Sequence, residues 1–216
     1  MLTKTILLLA VTACAAVPSS IVRPCTTISC VARTLAAQST CNPNVQGFVP
    51  SAYTIKKFRF DTPYFNSTYI DNDLVIRNHD QCFISEFYIN VETNMLVLGL
   101  DCPALEFEST RTVIQHNSLQ EDVVFDYTYQ GIYPLIRLTT TMSLDEPLDM
   151  CCAFTFADVT ALPHYRINPN DRQTAEYLSK DDTFLNIYER ETFYCRASQL
   201  LHYFVNSVIC DFGCDF

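Results

Sequence analysis

Cysteine is the residue type that offers this chain the most chemistry. Cys25, Cys30, Cys41, Cys82, Cys102, Cys151, Cys152, Cys195, Cys210 and Cys214 form an even set once Cys14 is assigned to a leader. An even set in a chain bound for an oxidising compartment reads as a disulfide framework of five internal bridges. Zinc is the competing use of such residues. There is no Cys-x-x-Cys, and the four histidines are scattered along the chain, so neither a metal site nor a cofactor is expected. Ten cysteines admit roughly 945 pairings, so connectivity has to be argued from the elements that carry them.

The remaining chemistry is sparse. Asn66-Ser67-Thr68 is the one N-glycosylation sequon, set after Pro63 among Tyr64, Phe65 and Tyr69, and in a secreted chain Asn66 should carry a glycan. No G-x-S-x-G, H-E-x-x-H, glycine-rich phosphate loop or complete calcium loop occurs, which argues against an enzyme. Asp71 and Asp73 read as turn carboxylates. Glu106 and Glu108 alternate on a predicted strand and read as a solvated face. His79, His116, His164 and His202 read as structural, and as a set they predict that acid below about pH 6.5 reduces the negative charge and promotes association.

Lys4, the apolar run Ile6 to Val11 and the small residues Ala13 to Ala16 have the form of a cleaved signal peptide over 1–16, leaving 17–216 as a single secreted domain. Val11-Thr12-Ala13-Cys14 also has the look of a lipobox, but a disulfide framework accounts better for the other cysteines. The apolar run is far shorter than the ~20 residues a membrane span requires. A formal charge of -10 excludes nucleic acid and anionic membrane surfaces as partners, both of which demand clustered Lys and Arg. Only four glycines and no internal repeat exclude a repetitive fibre protein, so the chain is a globular accessory.

The elements that must position these residues are mostly strands. A short helix is predicted from Ile28 to about Ser39, where Ile28, Val31, Ala32 and Leu35 share a face. Tyr53, Ile55 and then Phe58, Phe60 form a strand with a slip in its alternation. Tyr69–Arg77 follows. Cys82–Asn90 and Met95–Cys102 make a hairpin about Val91 to Asn94, which sets Cys82 nearly opposite Cys102, within reach of a disulfide. Further strands are predicted at Arg111–His116, Val123–Gln130, Leu135–Met142 and Ala153–Leu162. Asn168-Pro169 should open a helix through Leu178, and Ala197–Val208 should form another. Adjacent Cys151 and Cys152 cannot pair with each other without strain. The C-terminal segment with Cys195, Cys210 and Cys214 is expected to staple back onto them, and the N-terminal trio Cys25, Cys30 and Cys41 to supply the remaining partners, with Cys25 joined to Cys30 or Cys41.

The segments FRFDTPYFNSTYIDNDLVIRNHDQCFISEFYIN (58–90), DCPALEFES (101–109), YPLIRLTT (133–140), INPNDRQTAEYLS (167–179) and NSVICDFGC (206–214) resemble the fibrohexamerin family of moth silk glycoproteins. The resemblance covers most of the mature chain. It implies a protein of the silk gland lumen that associates non-covalently with silk fibroin heavy and light chains and helps keep them soluble until spinning. The order of an N-terminal cysteine-rich helix, a long β region with Tyr133-Pro134-Leu135 and a late Phe184-Leu185-Asn186 is also similar to takeout and juvenile-hormone-binding proteins. That similarity implies an α+β fold, a curved antiparallel sheet around a C-terminal helix, and as an alternative function an extracellular carrier of a small hydrophobic ligand.

Overall fold

In chain order the elements are β1 (Ile21–Val22), α1 (Ile28–Gln38), β2 (Ala52–Thr62), β3 (Ser67–Arg77), β4 (Phe83–Asn90), β5 (Met95–Gln115), β6 (Val123–Ser143), β7 (Thr155–Val159), β8 (His164–Pro169), α2 (Arg172–Leu178) and α3 (Asp182–Phe204). The computed structural model describes residues 20–62, 66–161, 163–179 and 182–214, the side chains of 182–192 excepted. The expected leader with Cys14, the residues Tyr64 and Phe65, and the side chains of Phe184, Leu185 and Asn186 lie outside that description.

β5 and β6, 21 residues each, are the spine of an antiparallel sheet, paired in one register from Met95 opposite Ser143 to Gln115 opposite Val123. β4 and then β3 occupy the outer edge of β5, while β7 and β8 divide the outer edge of β6. β2 continues the sheet beyond β3, and β1 beyond β4.

The sequence predicts shorter strands because the inward-facing register resets halfway. On β5 the inward-facing side chains are Leu96, Leu98, Leu100 and Cys102, then Leu105, Phe107, Ser109, Arg111 and Val113, while Val97 and Asp101 are buried on the opposite face. On β6 they are Phe125, Tyr127, Tyr129 and Tyr133, then Ile136, Leu138, Thr140 and Met142. The reset falls at Pro103-Ala104 on one strand and Pro134-Leu135 on the other, with Pro103 paired to Leu135 and Ala104 at φ +50°. Each proline withholds a ladder donor, so both strands are irregular at one level. The slip expected in β2 has the same nature. Inward Tyr53 and Ile55 give way to Phe58 and Phe60, and β3 resets from Tyr69 and Asp71 to Leu74 and Ile76 across Asp73 at φ +49°. Irregularities of this kind bend and twist a sheet.

α3 fills the sheet's inner face. Phe193, Ala197, Leu200, Leu201 and Phe204 recur at helical spacing and are buried. Phe193 packs its ring 5.4 Å from Phe107 and 4.7 Å from Tyr133. The predicted helix Ala197–Val208 is therefore the second half of a longer one, which ends in a single π turn over Val205–Ile209. α2 starts later than expected. Asn168-Pro169 closes β8, and the cap is Asp171, whose carboxylate accepts the Thr174 N–H at 2.7 Å.

Gly131 is fixed by close packing. A Cβ there would lie 2.2 Å from the hydroxyl of Tyr129, which is hydrogen-bonded to Tyr133 at 2.9 Å in the buried layer. Gly131→Ala is expected to lower stability by about 1–3 kcal/mol, the usual cost of overpacking, measurable by urea unfolding.

Candidate functional site

Four disulfides are described: Cys25–Cys30, Cys41–Cys210, Cys82–Cys102 and Cys151–Cys214. Cys151–Cys214 ties the C-terminal segment to the Cys151–Cys152 strand, while the expected count of five is corrected to four. Cys210 reaches Cys41, a member of the N-terminal trio, because Asn42 and Asp211 exchange backbone hydrogen bonds of 2.8 Å and bring the end of α1 to the end of α3. Cys152 and Cys195 stand outside these four bridges, both exposed. The Cys195 Sγ faces the Asp61 carbonyl at 3.6 Å, and the Asp149 carboxylate pushes the Cys152 thiol up, away from thiolate chemistry. His79, Cys82 and Cys102 bring their ligand atoms within 4.8 Å of one another, but the two sulfurs are bonded to each other and hold no charge for a metal.

Asn66 sits exposed in the turn between β2 and β3 at φ +48°. Its Nδ2 donates to the His116 carbonyl at 2.9 Å. An amide nitrogen bearing a glycan keeps one hydrogen, so this bond and a glycan are compatible.

The reading of Asp71 as a turn carboxylate is overturned. Asp71 lies in the middle of β3, fully buried, and its Oδ1 accepts from Arg111 Nε at 2.7 Å and Ser109 Oγ at 2.8 Å. Its Oδ2 accepts from Arg196 Nη2 on α3. Both arginines are buried and lie against aromatic faces. Arg111 is 4.0 Å from the centroid of Tyr129, and Arg196 is 5.0 Å from that of Phe60. Burial works to raise the Asp71 carboxyl, but Arg111 and Arg196 outweigh it and hold the group below the usual carboxylate range. Glu106 and Glu108 do share a face of β5, where both take Arg77, at 3.2 and 2.9 Å.

Next to this cluster, between α3 and the β2–β3 pair, is a cavity of about 230 Å³. Ile55, Phe58, Leu74, Ile76 and Leu200 supply apolar wall, and Arg196 and Gln199 line it as well. Tyr53 and Tyr203 stack at 4.4 Å on its border. Behind them the Tyr53 hydroxyl, kept protonated by burial, is hydrogen-bonded to Nδ1 of His79 at 2.8 Å.

Burial depresses His79 to about 4 and moves His202 in the same direction. His79 is thus held neutral in the fold in mild acid and burial makes His202 harder to protonate, which reduces their share in the charge change expected there. They act on stability instead. Below an unfolded value of about 6.5 the unfolded chain binds a proton that folded His79 refuses, so stability falls as pH drops from about 6.5 toward 4. The expected loss through His79 is about 2–3 kcal/mol at pH 4.5. Urea unfolding at pH 7 and 4.5 checks this, with His79→Asn, which keeps a hydrogen-bonding partner for Tyr53, flattening the difference.

A third feature is an aromatic patch on the surface. Phe154 is 76% exposed and Phe156 50%, and the Phe156 ring lies 5.6 Å from that of Tyr194 on α3. β7, which carries Phe156, is an edge strand paired only with β6 among the described residues.

A bent antiparallel sheet closed on a C-terminal helix and stapled by disulfides defines a takeout-like fold. The crystal structure of Epiphyas postvittana Takeout 1 superposes with a TM-score of 0.51, covering 81% of this chain and 89% of that one at 9% identity, a likeness of fold alone. The chain belongs to the fibroin P25 family, whose model matches residues 21–214. It is 54% identical to the fibrohexamerin of Galleria mellonella across 99% of its own length and the whole of that protein. Among the described residues no helix is long and apolar enough to cross a membrane.

Proposed function

We propose that this protein is a secreted silk glycoprotein that associates non-covalently with complexes of fibroin heavy and light chains in the silk gland lumen and aids their solubility, secretion and assembly. The observation that carries this reading is 54% identity to a fibrohexamerin from end to end. Eight cysteines are committed to bridges within the chain, which favours a non-covalent contact with fibroin. The patch of Phe154, Phe156 and Tyr194 supplies exposed aromatic area on an otherwise acidic protein, the composition expected at the centre of an interface with a polar rim. Changing Phe154 and Phe156 together to serine should leave the fold intact and reduce co-purifying fibroin at least tenfold, whereas undiminished fibroin would remove this patch from the interface. Asn66 carries the glycan in this account. A mobility shift on peptide-N-glycosidase treatment, absent in Asn66→Gln, is the expected result.

A second reading, an extracellular carrier of a small hydrophobic ligand, is favoured by one observation, the apolar cavity beneath α3. Fold alone does not decide between the two functions.

A further inference from the structure

We infer that the cavity beneath α3 is a site for a small apolar alcohol, whose hydroxyl lies between Arg196 and Gln199 and whose hydrocarbon part fills the space toward the β2–β3 wall. The inference rests on the carrier reading and adds to it the ligand's polar group and size.

Two polar groups on the α3 side of the cavity lack partners among the described residues, and they are of opposite kinds. Arg196, only 2% exposed, gives Nη2 to Asp71, while its Nε and Nη1 are buried and unpaired. Gln199, one turn further along α3, has a buried Oε1 that is likewise unpaired. Both side chains line the cavity. The guanidinium is a donor only, and the amide oxygen an acceptor only. A buried donor or acceptor left unmet carries its full desolvation penalty, so each is complementary to a ligand atom of the opposite kind. Ile55, Phe58, Leu74, Ile76, Phe107 and Leu200 make the rest of the wall apolar. Pockets that orient small molecules have this make-up, mostly apolar with a few convergent polar groups.

Hydrogen-bonding capacity sets the class of ligand. A carboxylate accepts from Arg196 but brings no hydrogen for Gln199 Oε1, and an ammonium donates to Gln199 but has no lone pair for Arg196. A hydroxyl does both through one atom, accepting from the guanidinium and donating to the amide oxygen. Volume sets the size. A dry cavity of roughly 150 Å³ accommodates benzene, so 230 Å³ corresponds to a ligand of about nine heavy atoms. 2-Phenylethanol has that number, and its ring suits walls that include Phe58 and Phe107.

The test compares 2-phenylethanol, benzyl methyl ether, propylbenzene and phenylacetate binding to the intact secreted protein, by isothermal titration calorimetry. The ether matches the alcohol in size and keeps an acceptor oxygen, but has no hydrogen to donate. The alcohol is expected to bind at least tenfold more tightly than the ether and than phenylacetate. Gln199→Leu should bring the alcohol down to the level of the ether and leave the ether and propylbenzene unchanged. Arg196→Met should weaken alcohol and ether together and spare propylbenzene. A wild type that binds the ether or phenylacetate as tightly as the alcohol would overturn the hydroxyl assignment and leave the carrier reading standing. Absence of binding by all four would overturn both. The wild-type comparison decides the matter even if a variant fails to fold.

Discussion

Asp71→Asn is expected to lower the melting temperature by roughly 6–20 °C. The side chain keeps its shape but loses its charge, so Arg111 and Arg196, both buried, lose the carboxylate they share. Breaking a buried ion pair by neutralising one partner costs about 3–5 kcal/mol, and a domain of this size shifts by about 2–4 °C for each kcal/mol. Asp73→Asn, two residues away on the exposed side of β3, should shift it by less than about 2 °C, the usual reach of a surface substitution. Acid makes the same point. A carboxyl held below its ordinary value stabilises the fold above about pH 4 and ceases to do so as pH falls through its folded value. A melting temperature for Asp71→Asn within about 2 °C of wild type would show that the arginines find other acceptors.

The second large effect belongs to the Cys41–Cys210 bridge. It closes 169 residues of chain, whereas Cys25–Cys30 closes 5. In the loop-entropy account a bridge stabilises by restricting the unfolded chain, which gives about 5 kcal/mol for the long loop and about 2 for the short one. The long bridge also holds the Asn42–Asp211 contact, which locks α1 to the far end of α3. Cys41→Ser with Cys210→Ser should therefore strongly reduce the secreted yield and lower the urea midpoint more than Cys25→Ser with Cys30→Ser does. Equal midpoints for the two double variants would contradict this ranking.

How far the sequence predicts these features depends on how local they are. Cys82–Cys102 joins residues 20 apart in one hairpin, and alternating side chains on either side of Val91 to Asn94 are enough to place them opposite each other. Cys41–Cys210 depends on where the two ends of the fold meet, which no local pattern encodes. β5 and β6 look like four strands because their inward faces change parity at Pro103 and Pro134, and an alternation that slips resembles one that stops. The Asp171 cap is missed for a related reason, since Asn168-Pro169 has the composition of a helix start but stays in the ladder opposite Tyr127 and Thr128.

The cavity and its charge cluster are the least legible part. Asp71-Asn72-Asp73 has turn composition, and the residues that make Asp71 a core anion, Arg111 and Arg196, are 40 and 125 positions away. A signal did exist. Tyr69, Asp71 and then Leu74, Ile76 follow the same slipped alternation as Tyr53, Ile55 and Phe58, Phe60, so a carboxylate on the inward side of β3 could have been read as buried, with its cationic partner still to be found.

The central claim is association with fibroin without a covalent link. Its most direct test is capture of this protein from silk-gland secretion under non-reducing conditions, followed by mild denaturant without reductant and mass spectrometry of what is released. The account predicts fibroin heavy and light chains in the released fraction. Capture that brings down no fibroin, or fibroin that leaves only when reductant is added, would contradict it.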